Sequence, residues 1–290
     1  MFHRTNLIYR YDGSFDGLLT CIFTCYEQKE WPLDIVSDQN VQDTLCPART
    51  IDTDSVKASR VAAVLPQKLS KEGAEWTYLG FLTCHPKKEL LLLDFVRKGL
   101  YFGPKIVRML TDDTVNALSR AVYHLTHEAH LLSGFVRFSD SGGVLSSVIE
   151  PKNNVLPILS NHFCTRYPGE YFLIYDKTND LALLHEPGKP SSIIAADEIE
   201  LPSPDDQELY FRALWKQFYD TIAIEGRYNP RCRMTHCPKR FWKHMTELGA
   251  GFISGFPADY RDKEPSRQRN SLQNVNQNRA AVPAKIIGKE

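Results

Sequence analysis

The order of elements between residues 135 and 185 constrains this chain more than any other stretch. Phe135–Phe138 and Val144–Ile149 are short runs rich in β-formers, separated by Ser-Asp-Ser-Gly-Gly, a composition that predicts a hairpin. Pro151 ends the second run, and the segment up to Tyr167-Pro168-Gly169 reads as a short helix. YFLIYD and LALLHE then predict a second hairpin around Lys-Thr-Asn-Asp. Two hairpins bracketing a helix imply an α+β fold: a small antiparallel sheet with a crossover helix, and several packed helices in a single main domain.

Helical periodicity fills in the rest. Val115, Leu118, Val122, Leu125, Ala129 and Leu132 recur at three and four residues, and so do Phe15, Leu18, Leu19, Ile22, Phe23 and Tyr26. Asp12 or Ser14 is placed to cap the earlier helix. Thr53 or Asp54 caps another, through Lys68, with Val56, Val61, Val64 and Leu65 turned inward. A further helical segment, about 72–97, meets His85-Pro86, where the ring forbids smooth continuation. Asp205 or Asp206 caps a helix through Ile224, with Leu214, Phe218, Thr221 and Ile222 as its inner stripe. Residues 31–53 read as loop with short extended pieces. The expected organisation is one domain over 1–250, with a strand–helix part at 6–80 and a core at 85–248. A polar tail at 257–290 is expected to be disordered.

Thirty-five basic and 35 acidic residues cancel, so polyanion binding must come from local patches. No run of 18 apolar residues exists and the start does not read as a signal peptide, which predicts a cytoplasmic protein with no membrane role. Seven scattered cysteines predict reduced thiols rather than a disulfide framework.

One block departs from this average. Residues 222–245 carry Arg227, Arg231, Arg233, Lys239, Arg240 and Lys243, interleaved with Tyr228, Phe241 and Trp242, and after Glu225 there is no acid until Glu247. Cations hold phosphates and aromatic faces stack on bases, so the block fits a nucleic-acid footprint. It equally fits a solvated basic loop followed by a helix whose aromatics anchor it. Elsewhere, Arg137 lies in a predicted strand, where it pairs with an acid such as Glu150 or projects onto a ligand-binding surface. His162 and Arg166, four apart, share a helix face. His124, His127, Glu128 and His130 crowd the end of a predicted helix, where the dipole favours imidazolium.

No metal or cofactor is expected. Cys21 and Cys25 are one helical turn apart and read as packing residues, and Cys232, His236 and Cys237 match no common zinc spacing. The sequence holds no GxxxxGK[ST] loop, no GxSxG, no CxxxCxxC run and no zinc-deaminase pattern.

Four ordered segments together carry a resemblance: YDGSFDGLLTCIF at 11–23, EAHLLSGFVRF at 128–138, GGVLSSVIEPKNNVLPILSNHF at 142–163 and AIEGRYNPRCRMTHCPKRFW at 223–242. They resemble bacterial DNA-metabolism and DNA-repair proteins built around a domain of unknown function. Members of that family accompany a radical SAM protein related to spore photoproduct lyase, and some relatives are fused to a uracil-DNA glycosylase domain. The family's motif near residue 237 more often has Met where this chain has Cys237. The resemblance implies a DNA-binding accessory protein with a radical SAM partner. Arg137, Arg166, Arg227, Arg231, Arg233, Lys239, Arg240 and Lys243 would contact DNA, with Phe241 or Trp242 stacking on a base. Two alternatives stand beside it: an enzyme acting on a base or nucleotide through Glu128, His130 or His162, and a protein-interaction scaffold without DNA affinity.

Overall fold

The computed structural model describes residues 3–38, 45–197 and 199–248, and the fold is α+β. Its first part comprises β1 (His3–Arg4), β2 (Ile8–Tyr11), α1 (Phe15–Gln28), β3 (Glu30–Trp31), β4 (Asp34–Ser37), β5 (Ala48–Thr50), α2 (Ser55–Phe81), α3 (Lys88–Phe102) and α4 (Asp113–Phe135). The second part comprises β6 (Ser139–Asp140), β7 (Val144–Ile149), α5 (Leu156–Arg166), β8 (Tyr171–Asp176), β9 (Leu181–His185), β10 (Ser192–Ala195), α6 (Asp206–Ile222) and α7 (Pro230–His236). The chain divides into two compact units, Met1–His127 with Lys152–Asn154, and Glu128–Pro151 with the chain from Val155 onward.

In the first unit β2 is the centre of a three-stranded parallel sheet, flanked by β4 and β5. The region read as loop with short extended pieces at 31–53 thus supplies two short strands. Asp34–Ser37 alternates half-buried and buried positions over only four residues, too short a run for periodicity to register. Ser14 caps α1 by accepting from the Gly17 amide, and Asp12 accepts from both Ser14 and Thr53. Leu18, Leu19, Cys21, Ile22 and Cys25 are buried, which confirms both cysteines as packing residues; burial pushes the Cys25 thiol up to about 12. Asp54 caps α2. That helix bends at Ser70, whose φ of 82° interrupts it and whose Oγ accepts from the Gly73 amide to start the second half. Of the α2 stripe only Leu65 is buried, while Val56 and Val64 are exposed. The break at His85-Pro86 falls between α2 and α3, as the ring requires.

The second unit holds a five-stranded sheet in the order β10-β9-β8-β7-β6. Both hairpins form, the first displaced: β6 lies at Ser139–Asp140, inside the expected turn, rather than at 135–138. The β6–β7 hairpin turns through Gly142 and Gly143, both at positive φ, while β8–β9 turns through residues 177–180. Because α5 carries the chain back across between the hairpins, β7 and β8 pair parallel, so the sheet is mixed. Phe135 is the last residue of α4 rather than the start of a strand, and Arg137 lies in the linker before β6. For the same reason His124, His127 and His130 sit inside α4 and not at its end. Asp205 caps α6 through the Glu208 amide, yet Leu214, Phe218 and Ile222, expected to face inward, are exposed. No helix among the described residues is long and apolar enough to cross a membrane. The tail at 257–290 lies outside the described residues.

Candidate nucleic-acid interface

The sequence-predicted site residues all fall in the second unit, and the structure sorts them by whether a carboxylate already holds them. Arg137 is held most firmly. Its Nη2 and Nε donate to the two oxygens of Glu247 at 2.7 and 3.3 Å, and Nη1 donates to the carbonyls of Gly134 and Val136. Trp215 Nε1 donates to the same buried carboxylate at 3.1 Å, and the guanidinium lies 5.8 Å from the Trp215 ring centre. Burial pushes the Glu247 carboxyl up, but the bonds from Arg137, its own amide and Trp215 outweigh this and hold it below the usual range.

Arg240 meets Glu128, which is buried, at 3.1 Å. Lys243 donates to Glu150 at 2.6 Å, and His244 Nε2 lies 3.3 Å from the same oxygen. The bond from Lys243 holds the Glu150 carboxyl low, while burial lowers His244. Arg137, Arg212, Lys243 and His244 line a cavity of about 330 Å³ together with Ser139, Ser146 and Ser147. Arg212 is in turn held by Glu208 at 2.7 Å. The charges around this cavity therefore cancel in pairs.

The remaining cations follow α6. A 3-10 turn at Glu225–Arg227 leads to α7, whose cap is Asn229, accepting from the Cys232 amide, with Pro230 in the first turn. This geometry exposes Arg227, Tyr228 and Arg231. Among the described residues no carboxylate lies within ion-pair distance of Arg227 or Arg231. Arg233 and Lys239 lie on the Trp242 ring, at 4.9 and 5.9 Å from its centre, and the Trp242 indole donates to the Cys237 carbonyl at 2.8 Å. Phe241 is buried against Phe135. The stacking surface expected of Phe241 and Trp242 is therefore taken up by the protein itself. Tyr228, 73% exposed, presents the open ring instead. With Tyr219, Ile222, Arg227 and Arg233 it lines a cleft of about 760 Å³.

Arg166 rests on the Tyr167 ring, 5.7 Å from its centre. His130 and His162 are exposed, and among the described residues neither ring is held by a hydrogen bond; His162 meets the edge of Phe163. Glu128, the third candidate acid–base group, is engaged with Arg240. Among the described residues no group of three or more His, Cys, Asp or Glu could hold a metal ion. Two participants were missed in the sequence: Glu247 as an anchor and Tyr219 as a cleft wall. The spacing of Glu208 and Arg212, four apart on one helix, did carry a readable signal.

The profile of a family described as a domain of unknown function, DUF4130, matches residues 86–247, more than half of the chain. No curated protein and no solved structure matches it.

Proposed function

Because the chain belongs to the family of the domain of unknown function DUF4130, whose description names no activity, we propose its function from geometry: it binds nucleic acid, acting as an accessory protein in DNA metabolism or repair. One observation carries this reading. Arg227 and Arg231 are exposed beside Tyr228 with no carboxylate partner among the described residues, whereas Arg137, Arg212, Arg240 and Lys243 are each neutralised by one. Unpaired cations beside an open aromatic ring suit a phosphate backbone and its bases. Arg233 and Lys239 extend the basic surface across Trp242. Arg137, Arg240 and Lys243 serve chiefly to hold the site's framework, and Arg166 is a peripheral contact.

The chain carries no CxxxCxxC run, so in this reading any radical chemistry belongs to the radical SAM enzyme that the sequence resemblance implies, with the cytoplasm as the shared compartment. Fluorescence anisotropy with labelled DNA between low and physiological salt tests the reading. Affinity should fall steeply with salt, and replacing Arg227 and Arg231 by Ala should reduce the log–log slope by roughly one for each residue. Salt-insensitive binding, or no binding to any DNA at low salt, overturns it.

A further inference from the structure

We infer that the ligand of this surface is a single strand whose unstacked bases enter the cleft at the end of α6, not a duplex; the inference rests on the nucleic-acid reading above. A duplex presents phosphates outward and keeps its base faces stacked against one another, so it has nothing to place in a cleft with aromatic walls. A single strand offers both kinds of surface at once. The cleft matches that pairing. Its walls include the rings of Tyr219 and Tyr228 and the side chain of Ile222, which is 57% exposed. Arg227 and Arg233 line the same cleft as Tyr228, so phosphates flanking a base on Tyr228 meet cations of that cleft.

The acid on the cleft wall, Asp220, is already held by Lys216 at 2.7 Å, which leaves the cleft's charge to Arg227 and Arg233. The apolar surface does not stop at the cleft. Phe218 and Leu214, one and two turns back along α6 from Ile222, are also exposed, and Trp215 and Phe218 stack with ring centres 5.7 Å apart. This continuous apolar strip beside unpaired cations is the complement of a strand with its bases turned to one side. A duplex has no matching face.

Anisotropy with a mixed-sequence strand of about 15 nucleotides and with the same sequence as duplex separates the possibilities. The strand should bind about tenfold tighter or more. Tyr228→Leu should weaken strand binding about tenfold and leave duplex binding unchanged, while Tyr228→Phe, which keeps the ring, should stay near the parent. Tyr228 is exposed, so neither variant disturbs folding, and circular dichroism confirms this. Duplex binding equal to or tighter than strand binding, with Tyr228→Leu silent and Arg227→Ala still weakening both, overturns the single-strand inference and leaves the nucleic-acid reading standing. Absence of binding to either form overturns both. A dimer that Phe218→Glu dissolves, without strand affinity, also overturns the inference and assigns the α6 strip to a second copy.

Discussion

Arg137 and Glu247, 110 residues apart, form a two-point ion pair around a carboxylate that is almost wholly out of solvent. Trp215 of α6 adds a third donor to the same carboxylate. One side chain thus ties together the end of α4, the middle of α6 and the last described turn.

Replacing Glu247 by Ala should cost about 2–4 kcal/mol, because Arg137 and Trp215 both lose a partner in a largely desolvated setting. Urea unfolding measures it. The pH dependence follows from the depressed carboxyl. Its folded-state value lies below the usual 4.5, so its stabilisation is present above about 4.5 and is lost as pH falls through the lower value. Glu247→Gln should flatten the acid limb of the stability curve.

Arg240 and Arg231 should respond oppositely to truncation. Arg240→Ala strips a cation from buried Glu128 and should lower stability by about 2–3 kcal/mol. Arg231→Ala should change stability by no more than about 0.5 kcal/mol and act on nucleic-acid affinity. Chemical denaturation and anisotropy on the same two variants check both halves of the contrast.

Asp176 should give a pH effect of the other sign. Burial raises its carboxyl to about 6 despite bonds from the Thr178 and Asn179 amides and the Asn179 side chain. A folded-state value above the unfolded 3.8 means that the folded form holds the proton more tightly. Stability should therefore fall by about 2 kcal/mol as pH rises from 4 to 7. Unfolding midpoints across that range should show the fall in the parent and not in Asp176→Asn.

Gly17 has no room for a side chain. A Cβ there would lie 2.3 Å from Asp12 Oδ1, 2.8 Å from Thr53 Oγ1 and 2.9 Å from the Tyr11 ring. Gly17→Ala should destabilise the first unit by about 1–3 kcal/mol, although alanine is the better helix former. Thermal unfolding followed by circular dichroism reads the loss.

Elements that bury one regular face were readable in the sequence. Val115 through Leu132 on α4 are buried as spaced, and Ser14, Asp54 and Asp205 cap their helices because each cap needs one side-chain oxygen at one position. The parallel sheet of the first unit was not readable. Strands of three and four residues carry too few alternations, and the partners of β2 lie beyond α1 in the chain. At the candidate site the cations were visible as types, but their pairing was not. Glu150 takes Lys243 while Glu247, late in the chain, takes Arg137. Sequence distance gives no measure of which acid reaches which base. The α6 stripe misled for a related reason: a period of three and four marks an apolar face, and it does not say whether anything covers that face.

The parallel pairing of β7 with β8 orders the events of synthesis. Hairpin β8–β9, turned by four residues, can close within about 10 microseconds once it has formed as chain. The edge of β7 opposite β6 must wait, because β8 begins only at Tyr171, beyond α5. A ribosome adding about 5–20 residues per second leaves that strand edge open for about a second or more. Released chains truncated near residue 165 should expose β7 to protease, and released chains that extend past β9 should protect it.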